Sequence, residues 1–169
     1  MTGFMRGSVM GAALILAGCA ATDAGTGRPR PIEGESITYE TAPCFGTCPV
    51  YRVTVNADGS GTFEGRRFTA VTGERAFTAS PDVYRRFAAA LEPYRPKDGD
   101  LRYENGSSLC GPAMVSDMPG ADVRWSEPSG ASRSIHFYYG CDRGDDGKMR
   151  RAIADAPQLL PIAAFIGKR

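Results

Sequence analysis

The cysteines constrain this chain more than any other feature, because they limit which parts of it can be covalently joined. The sequence contains five, and four of them follow the first: Cys44, Cys48, Cys110 and Cys141. An even number in an exported domain predicts two disulfide bonds. Of the three pairings that four cysteines allow, we favour Cys44 with Cys48 and Cys110 with Cys141, because Cys110 lies in a long connection and Cys141 ends a predicted hairpin.

The first twenty residues have the three-part layout of an export signal. Arg6 is an early cation, a short apolar stretch runs from Val9 to Leu16, and small residues follow. This stretch is shorter than the ~20 apolar residues that cross a bilayer. The residues Leu16-Ala17-Gly18-Cys19 resemble the bacterial lipobox, in which lipid is attached to the cysteine after the signal is cut in front of it. We expect a signal peptide over residues 1–18 and lipidation of Cys19; the alternative is an ordinary signal peptide with an incidental cysteine.

Lipidation would give the protein a permanent membrane anchor. Lipoproteins carry two or three acyl chains, palmitate among them, and each buried methylene adds about 0.8 kcal/mol to membrane binding. An Asp after the lipidated cysteine commonly retains such proteins in the inner membrane, and here Ala20 follows Cys19. We therefore expect a membrane lipoprotein that faces the periplasm, with the outer membrane favoured.

Charge and composition divide the remainder into a tether and one domain. Cleavage after residue 18 removes Arg6 and leaves a formal charge of zero, so there is no basic excess that would bind nucleic acid. Residues 19–34 have no hydrophobic period, which predicts a flexible tether after the lipidated cysteine. Residues 35–169 are sufficient for a single domain with one core.

Alternating apolar and polar residues predict an antiparallel sheet. Ser36–Thr41 and Val50–Val55 have the β-branched and aromatic content of strands, and Asp58-Gly59 marks a hairpin turn before Thr62–Gly65. Further short strands are expected at 67–71 and 75–78. A second hairpin joins Asp122–Ser126 to Ser134–Tyr138, whereas residues 95–120 show no period and predict a long irregular connection.

Two helices complete the predicted fold. Ser80-Pro81-Asp82 places a capping hydroxyl, a proline at the first helical position and an early acid before an apolar face formed by Val83, Phe87, Ala90 and Leu91. A C-terminal helix is expected over about 147–154. The order of elements predicts an α+β domain: an antiparallel meander with one capped helix in the middle and another at the end.

The cysteine loop resembles a known family. Cys44-Phe45-Gly46-Thr47-Cys48-Pro49-Val50-Tyr51, followed by a strand and by Asp58-Gly59, is similar to the opening of the bacterial family called domain of unknown function 6438. The similarity continues through the helix at Ser80, through Ser116-Asp117-Met118-Pro119 and to Cys141. It extends over about residues 36–166 and implies the fold. Many members of the family resemble lipoproteins, and the family implies no reaction, ligand or cofactor.

Reactive sites built from the cysteines or the single histidine are weaker interpretations. A dithiol redox couple needs C-x-x-C at the start of a helix, whereas Cys44 and Cys48 have three residues between them and precede a strand. Zinc bound by Cys44, Cys48, Cys141 and His136 would require free thiolates, which an oxidising compartment disfavours. A triad of His136 with Ser116 or Ser107 lacks a G-x-S-x-G frame. The acids at 142, 145 and 146 lack the spacing of a calcium loop.

These observations predict a binding or structural module with no enzymatic role and no cofactor or metal. Its partner would be an envelope protein, a glycan or a small ligand, in addition to the membrane that holds the lipid anchor. A thiol redox protein that uses Cys44 and Cys48, or an enzyme with an unrecognised site, is the alternative. The candidate binding surface consists of aromatic and ionisable residues on or near the cysteine loop and the second hairpin: Phe45, Tyr51, Asp117, His136 and Tyr138.

Overall fold

The computed structural model describes residues 1, 3, 34–142 and 147–167. The chain divides into two units, Met1–Arg30 and Pro31–Arg169, and every described residue except Met1 and Gly3 lies in the second. Cys19, the predicted signal apart from Met1 and Gly3, and almost all of the predicted tether lie outside the described residues, as do Asp145 and Asp146. No helix among the described residues is long and apolar enough to span a membrane.

Seven strands form the main sheet of the second unit. The described residues form nine strands, which are, in order, β1 Ser36–Ala42, β2 Val50–Asn56, β3 Ser60–Arg67, β4 Gly73–Thr78, β5 Asp100–Tyr103, β6 Ala113–Met114, β7 Gly120–Ser126, β8 Ser132–Tyr138 and β9 Cys141–Asp142. The main sheet has the order β4-β3-β2-β1-β7-β8-β5, and β6 pairs with β9 separately. All pairings are antiparallel except that of β5 with β8. The predicted α+β class is confirmed.

Two of the helices, α1 Pro81–Leu91 and α2 Gly147–Asp155, lie where the sequence predicts them, whereas the short α3 Ala163–Ile166 was not predicted. There are also 3-10 turns at Glu92–Tyr94 and Ala156–Leu159. The hydroxyl of Ser80 accepts the backbone N–H of Val83 at 3.2 Å, which satisfies one of the donors that a helix start leaves unpaired. Phe87 and Leu91 are fully buried on the predicted face of α1.

The turn between β2 and β3 shows why Asp58-Gly59 forms a hairpin. Gly59 has a φ of +87°, and a Cβ there would lie 2.1 Å from the carbonyl oxygen of Ala79. Only glycine fits this conformation without strain. The backbone N–H and the hydroxyl of Ser60 both donate to the Asp58 carboxylate, at 2.8 and 2.7 Å. These bonds lower the pKa of Asp58.

The core lies between one face of the sheet and the helices. Strand residues that alternate inward bury Ile37, Val53, Phe63, Val123 and Trp125 against Phe87 and Leu91 of α1 and Ile153 of α2. The opposite face of the sheet carries the polar residues of the same strands. This one-sided burial is the reason why the strands alternate so regularly in the sequence.

Two segments differ from the sequence prediction. The connection over 95–120 is not wholly irregular, because it contains β5, which pairs in parallel with β8, and β6, which pairs with β9. These strands have four and two residues, too few to produce a period, and their pairing is set by distant parts of the chain. The strand expected over 67–71 is also wrong: β3 ends at Arg67, and Phe68 turns the chain with a φ of +56°.

Candidate functional site

The candidate site lies at one end of the main sheet, where several connections meet. Strands β1, β3, β5 and β8 end there, and β2, β4 and β7 begin there, as the pairing registers require. The connections at this end include the cysteine loop over 43–49, the turn over 68–72 and the long segment over 104–119 that leads from β5 to β7. Loops held at one end of a rigid sheet are a common place for binding residues.

Two disulfide bonds fix these connections. Cys44 is joined to Cys48 with an S–S distance of 2.03 Å, and Cys110 to Cys141 with 1.99 Å, which is the pairing favoured from the sequence. The second bond links the long connection to β9. These sulfurs are therefore not thiolates that could bind zinc. Among residues 34–142 and 147–167, no group of three or more His, Cys, Asp or Glu side chains is placed to hold a metal ion.

Backbone hydrogen bonds join the cysteine loop to residues 113–119. The N–H of Phe45 donates to the carbonyl of Asp117 at 3.4 Å, and the N–H of Val115 donates to Gly140 at 2.8 Å. The N–H of Tyr139 donates to Pro119 at 2.9 Å. Segment 113–119 is thus held between the cysteine loop on one side and the end of β8 on the other.

Tyr138, the last residue of β8, holds the same segment with its side chain. Its hydroxyl donates to the carbonyl oxygen of Val115 at 3.0 Å and accepts the N–H of Met118 at 3.1 Å. Between them, Asp117 has a φ of +62°, a left-handed conformation that Asp tolerates better than most residues. One side chain therefore shapes the tight turn at 115–118.

The cysteine loop and segment 113–119 both expose large apolar side chains to solvent. The exposed fraction is 89% for Phe45, 60% for Val115, 39% for Met118 and 38% for Met114. We call these four residues the apolar patch. Single exposed apolar residues are ordinary, but a group of them on segments tied together by hydrogen bonds is typical of an interaction surface.

A pocket of about 200 Å³ lies beside the apolar patch. It brings together three of the five residues proposed from the sequence, namely Asp117, His136 and Tyr138. The other side chains that line it belong to the connection between β5 and β7: Glu104, Asn105, Met114 and Ser116. Phe45, the fourth proposed residue, is linked to this group through its backbone bond to Asp117.

His136 is hydrogen-bonded to an acid within the sheet rather than to a serine of a triad. Its Nδ1 lies 2.9 Å from a carboxylate oxygen of Asp122, the residue opposite it on β7. The hydroxyl of Ser116 donates to the carboxylate of Asp117 at 3.3 Å. Ser116 and His136 thus share a pocket but are hydrogen-bonded to two different acids. In a catalytic triad, the hydroxyl of Ser116 would instead have to donate a hydrogen bond to His136.

Glu104 is held in its ionised form by a neighbouring arginine. The Arg102 guanidinium donates to both carboxylate oxygens, at 2.9 and 2.7 Å. This hydrogen bonding lowers the pKa of Glu104, and the positive charge of Arg102 adds to the effect. The pocket therefore contains a carboxylate that is paired with the positive charge of Arg102.

Tyr51, the fifth residue proposed from the sequence, is not part of the surface. It is 4% exposed and stacks on Phe63 in the core, with 5.3 Å between the ring centroids. The register of β2 against β3 shifts between Val50 and Tyr51, and both side chains are buried. Tyr51 lies in phase with the buried Val53 and Val55, so the alternation of β2 places it inward, and Val50 is the residue that departs from the alternation.

Several surface residues were not proposed from the sequence. Met114, Val115 and Met118 lie in a segment without a period, where an apolar residue has no predicted face. The signal that could have identified them is local: three large apolar side chains stand within five positions, interrupted only by Ser116-Asp117, in a connection otherwise rich in Gly, Ser and Pro.

A broader hollow of about 500 Å³ lies on the polar face of the sheet. Thr38, Glu40, Arg52, Thr54, Asp122 and Arg124 line it. Its charges are largely paired within the protein: Arg52 contacts Glu40 at 2.7 Å, and Arg66 also binds Glu40. The hydrogen bond from Arg66 lowers the pKa of Glu64 beside them. We interpret this hollow as a solvated face.

The sequence comparisons agree with this description. A search of the curated proteins finds no match to the chain. A family model described as Domain of unknown function (DUF6438) matches residues 35–158. The matched range contains both disulfide bonds, the apolar patch and every residue that lines the pocket. The chain therefore belongs to the family Domain of unknown function (DUF6438).

Proposed function

We propose that this protein is a lipid-anchored binding module of the bacterial envelope, and that it binds another envelope protein through the apolar patch. The anchor is the lipidated Cys19, which faces the periplasm, with the outer membrane favoured. The module has no enzymatic role in this proposal. Its contribution is to hold a partner at the membrane surface.

The exposed phenyl ring of Phe45 carries the proposal. Its side chain is 89% exposed at the tip of a loop that a disulfide closes, although burial would normally stabilise such a residue by about 2 kcal/mol. Aromatic and Met side chains are enriched at the centres of protein interfaces. A loop that is already ordered also loses less conformational entropy when it binds.

The anchor has separate support. The lipobox and the export signal before it predict lipidation at Cys19, and a domain that contains two disulfide bonds fits an oxidising compartment such as the periplasm. Two or more acyl chains would make the attachment effectively permanent.

Affinity capture from the organism's own envelope tests the binding surface. We expect a defined protein to co-purify with the wild-type chain and to be reduced at least about fivefold in Phe45→Ser, because interface aromatic residues often contribute more than 1 kcal/mol. Met118→Ser should also weaken capture.

The matched control is Leu159→Ser. Leu159 is 38% exposed, like Met118, but it lies in the 3-10 turn that packs against α1. This variant should capture as much partner as the wild type. The proposal is wrong if the Phe45→Ser and Leu159→Ser variants capture the same proteins in the same amounts.

Thiol redox activity is a second candidate, favoured by one observation. Cys44 and Cys48 are only half-buried, and the residues between them, Phe45, Gly46 and Thr47, are exposed, so a reductant could reach the bond. Against it, the chain leaves Cys48 into strand β2 rather than into a helix, whose N-terminus would stabilise a thiolate.

A further inference from the structure

The pocket beside the apolar patch combines apolar walls with carboxylates. Met114 and the ring of Tyr138 supply apolar surface, and Glu104 and Asp117 supply two acids. Asn105 and Ser116 add oxygen atoms that can accept hydrogen bonds. Among residues 34–142 and 147–167, none of the side chains that line this pocket is a lysine or an arginine.

The charges around the pocket leave it negative. The pKa of Glu104 is lowered by its bonds to Arg102, so the acid is ionised and its charge is partly compensated by that arginine. Asp117 is exposed, and its carboxylate accepts a hydrogen bond from the hydroxyl of Ser116 at 3.3 Å. Asp122, bonded to His136, adds a third carboxylate next to the pocket. A positively charged occupant is therefore complementary, whereas an anion would be repelled.

The size of the pocket limits the occupant further. Its volume of about 200 Å³ is below the roughly 300–1,000 Å³ of sites that enclose drug-sized ligands. A single long side chain fits this description better than a whole molecule. Lysine and arginine have apolar stems that pack on apolar surface while the charged end stays near polar groups.

We propose that this pocket binds a lysine or arginine side chain of the protein that the apolar patch binds. The inference rests on the proposed function for the identity of the partner. The apolar stem would lie along Met114 and Tyr138, and the cationic end would reach the carboxylates of Asp117 and Glu104. The partner's recognition segment is therefore both apolar and basic.

Titration with a capped amino acid tests this site without the partner. The probe is N-acetyl-arginine amide, and the neutral control is N-acetyl-citrulline amide, which has nearly the same shape. Amide signals of the isotope-labelled domain should shift saturably with the arginine probe at residues 104–105, 114–118 and 136–138. Citrulline should bind about three- to fivefold more weakly, the range expected for an exposed ion pair.

Asp117→Asn removes the charge and keeps the shape. Asparagine tolerates the left-handed backbone at position 117, so the turn should persist. We expect about three- to fivefold weaker binding of arginine in this variant. Asp98→Asn, an exposed acid that precedes β5 at the other end of the sheet, is the matched control and should bind like the wild type.

The experiments can overturn the cation site and the protein-binding surface independently of each other. Equal binding of arginine and citrulline, shifts away from the pocket, or an unchanged titration in Asp117→Asn would overturn the cation site, even if partner capture still depends on Phe45. Conversely, a titration that depends on Asp117, together with capture that is unaffected by Phe45→Ser, would overturn the protein-binding surface and leave the cation site in place.

Discussion

Tyr138 connects the sheet to the proposed binding surface more directly than any other residue described above. Its ring belongs to the rigid strand β8, and its hydroxyl bonds to the backbone of both Val115 and Met118. The apolar patch consequently takes its shape from a side chain that need not touch the partner. Tyr138 should therefore affect binding by keeping the turn at 115–118 ordered.

Tyr138→Phe removes both hydrogen bonds and keeps the ring. We expect a loss of about 1 kcal/mol in the free energy of unfolding, the usual contribution of such bonds, measured by urea denaturation. We also expect faster hydrogen exchange at the N–H of Met118 and weaker partner capture.

The control for this variant is Tyr84→Phe. The Tyr84 hydroxyl donates to the carbonyl of Glu35 at 2.9 Å, away from the surface. Its removal should cost a similar amount of stability and leave partner capture unchanged. If the Met118 amide exchanges equally slowly in Tyr138→Phe and in the wild type, the proposal that the Tyr138 hydroxyl orders the turn at 115–118 is wrong.

Sequence reasoning located part of the site at the residue level. Asp117, His136 and Tyr138 were proposed and line one pocket: His136 and Tyr138 lie on the predicted second hairpin, and Asp117 lies in the segment that resembles the family. Tyr51 was also proposed, but it is buried in the core, in phase with Val53 and Val55, which the alternation of β2 could have shown. Glu104 could not be proposed, because its place depends on the parallel pairing of β5.

At the level of elements, the apolar patch and the pocket lie together at one end of the sheet. Elements determined by local signals were predicted well: the hairpin turn at Asp58-Gly59, the cap at Ser80 and the alternation of β7 and β8. Strands β5 and β6 were missed because their stability comes from partners that are distant in sequence. A strand of two to four residues is too short to show an alternating pattern, so it cannot be recognised from the sequence when its pairing partner is distant.

The two disulfide bonds should differ in their effect on these elements. Cys110 and Cys141 are 31 residues apart in sequence, whereas Cys44 and Cys48 are 4 apart. The longer loop has more conformational entropy when it is open. Replacing Cys110 and Cys141 with serine should therefore cost roughly 1 to 2 kcal/mol more stability than replacing Cys44 and Cys48, measured by chemical denaturation.

The shorter disulfide should instead matter for binding. Cys44→Ser/Cys48→Ser frees the loop that presents Phe45, so we expect weaker partner capture by a domain that remains folded. A bond that is readily reduced in the folded protein, with one thiol whose pKa is depressed, would contradict this scaffold role and support the redox alternative.

At the level of the whole molecule, the domain and the predicted anchor have different tasks. The domain is the part that the family describes, and it presents the apolar patch and the pocket. The anchor would determine where these surfaces work, because a partner can be held at a membrane only if the domain itself is attached there. In the proposed function, the location of the protein depends on the lipidation of one residue, Cys19.

Lipidation of Cys19 is tested most directly by metabolic labelling with an alkyne-tagged palmitate, together with the mass of the mature N-terminus. We predict that wild type is labelled, that its mature chain begins at Cys19, and that Cys19→Ser is unlabelled. The Cys44→Ser/Cys48→Ser variant, which removes two other cysteines, should be labelled like wild type. Equal labelling of wild type and Cys19→Ser, or a mature N-terminus at another residue, would contradict the account of this protein as a lipid-anchored binding module.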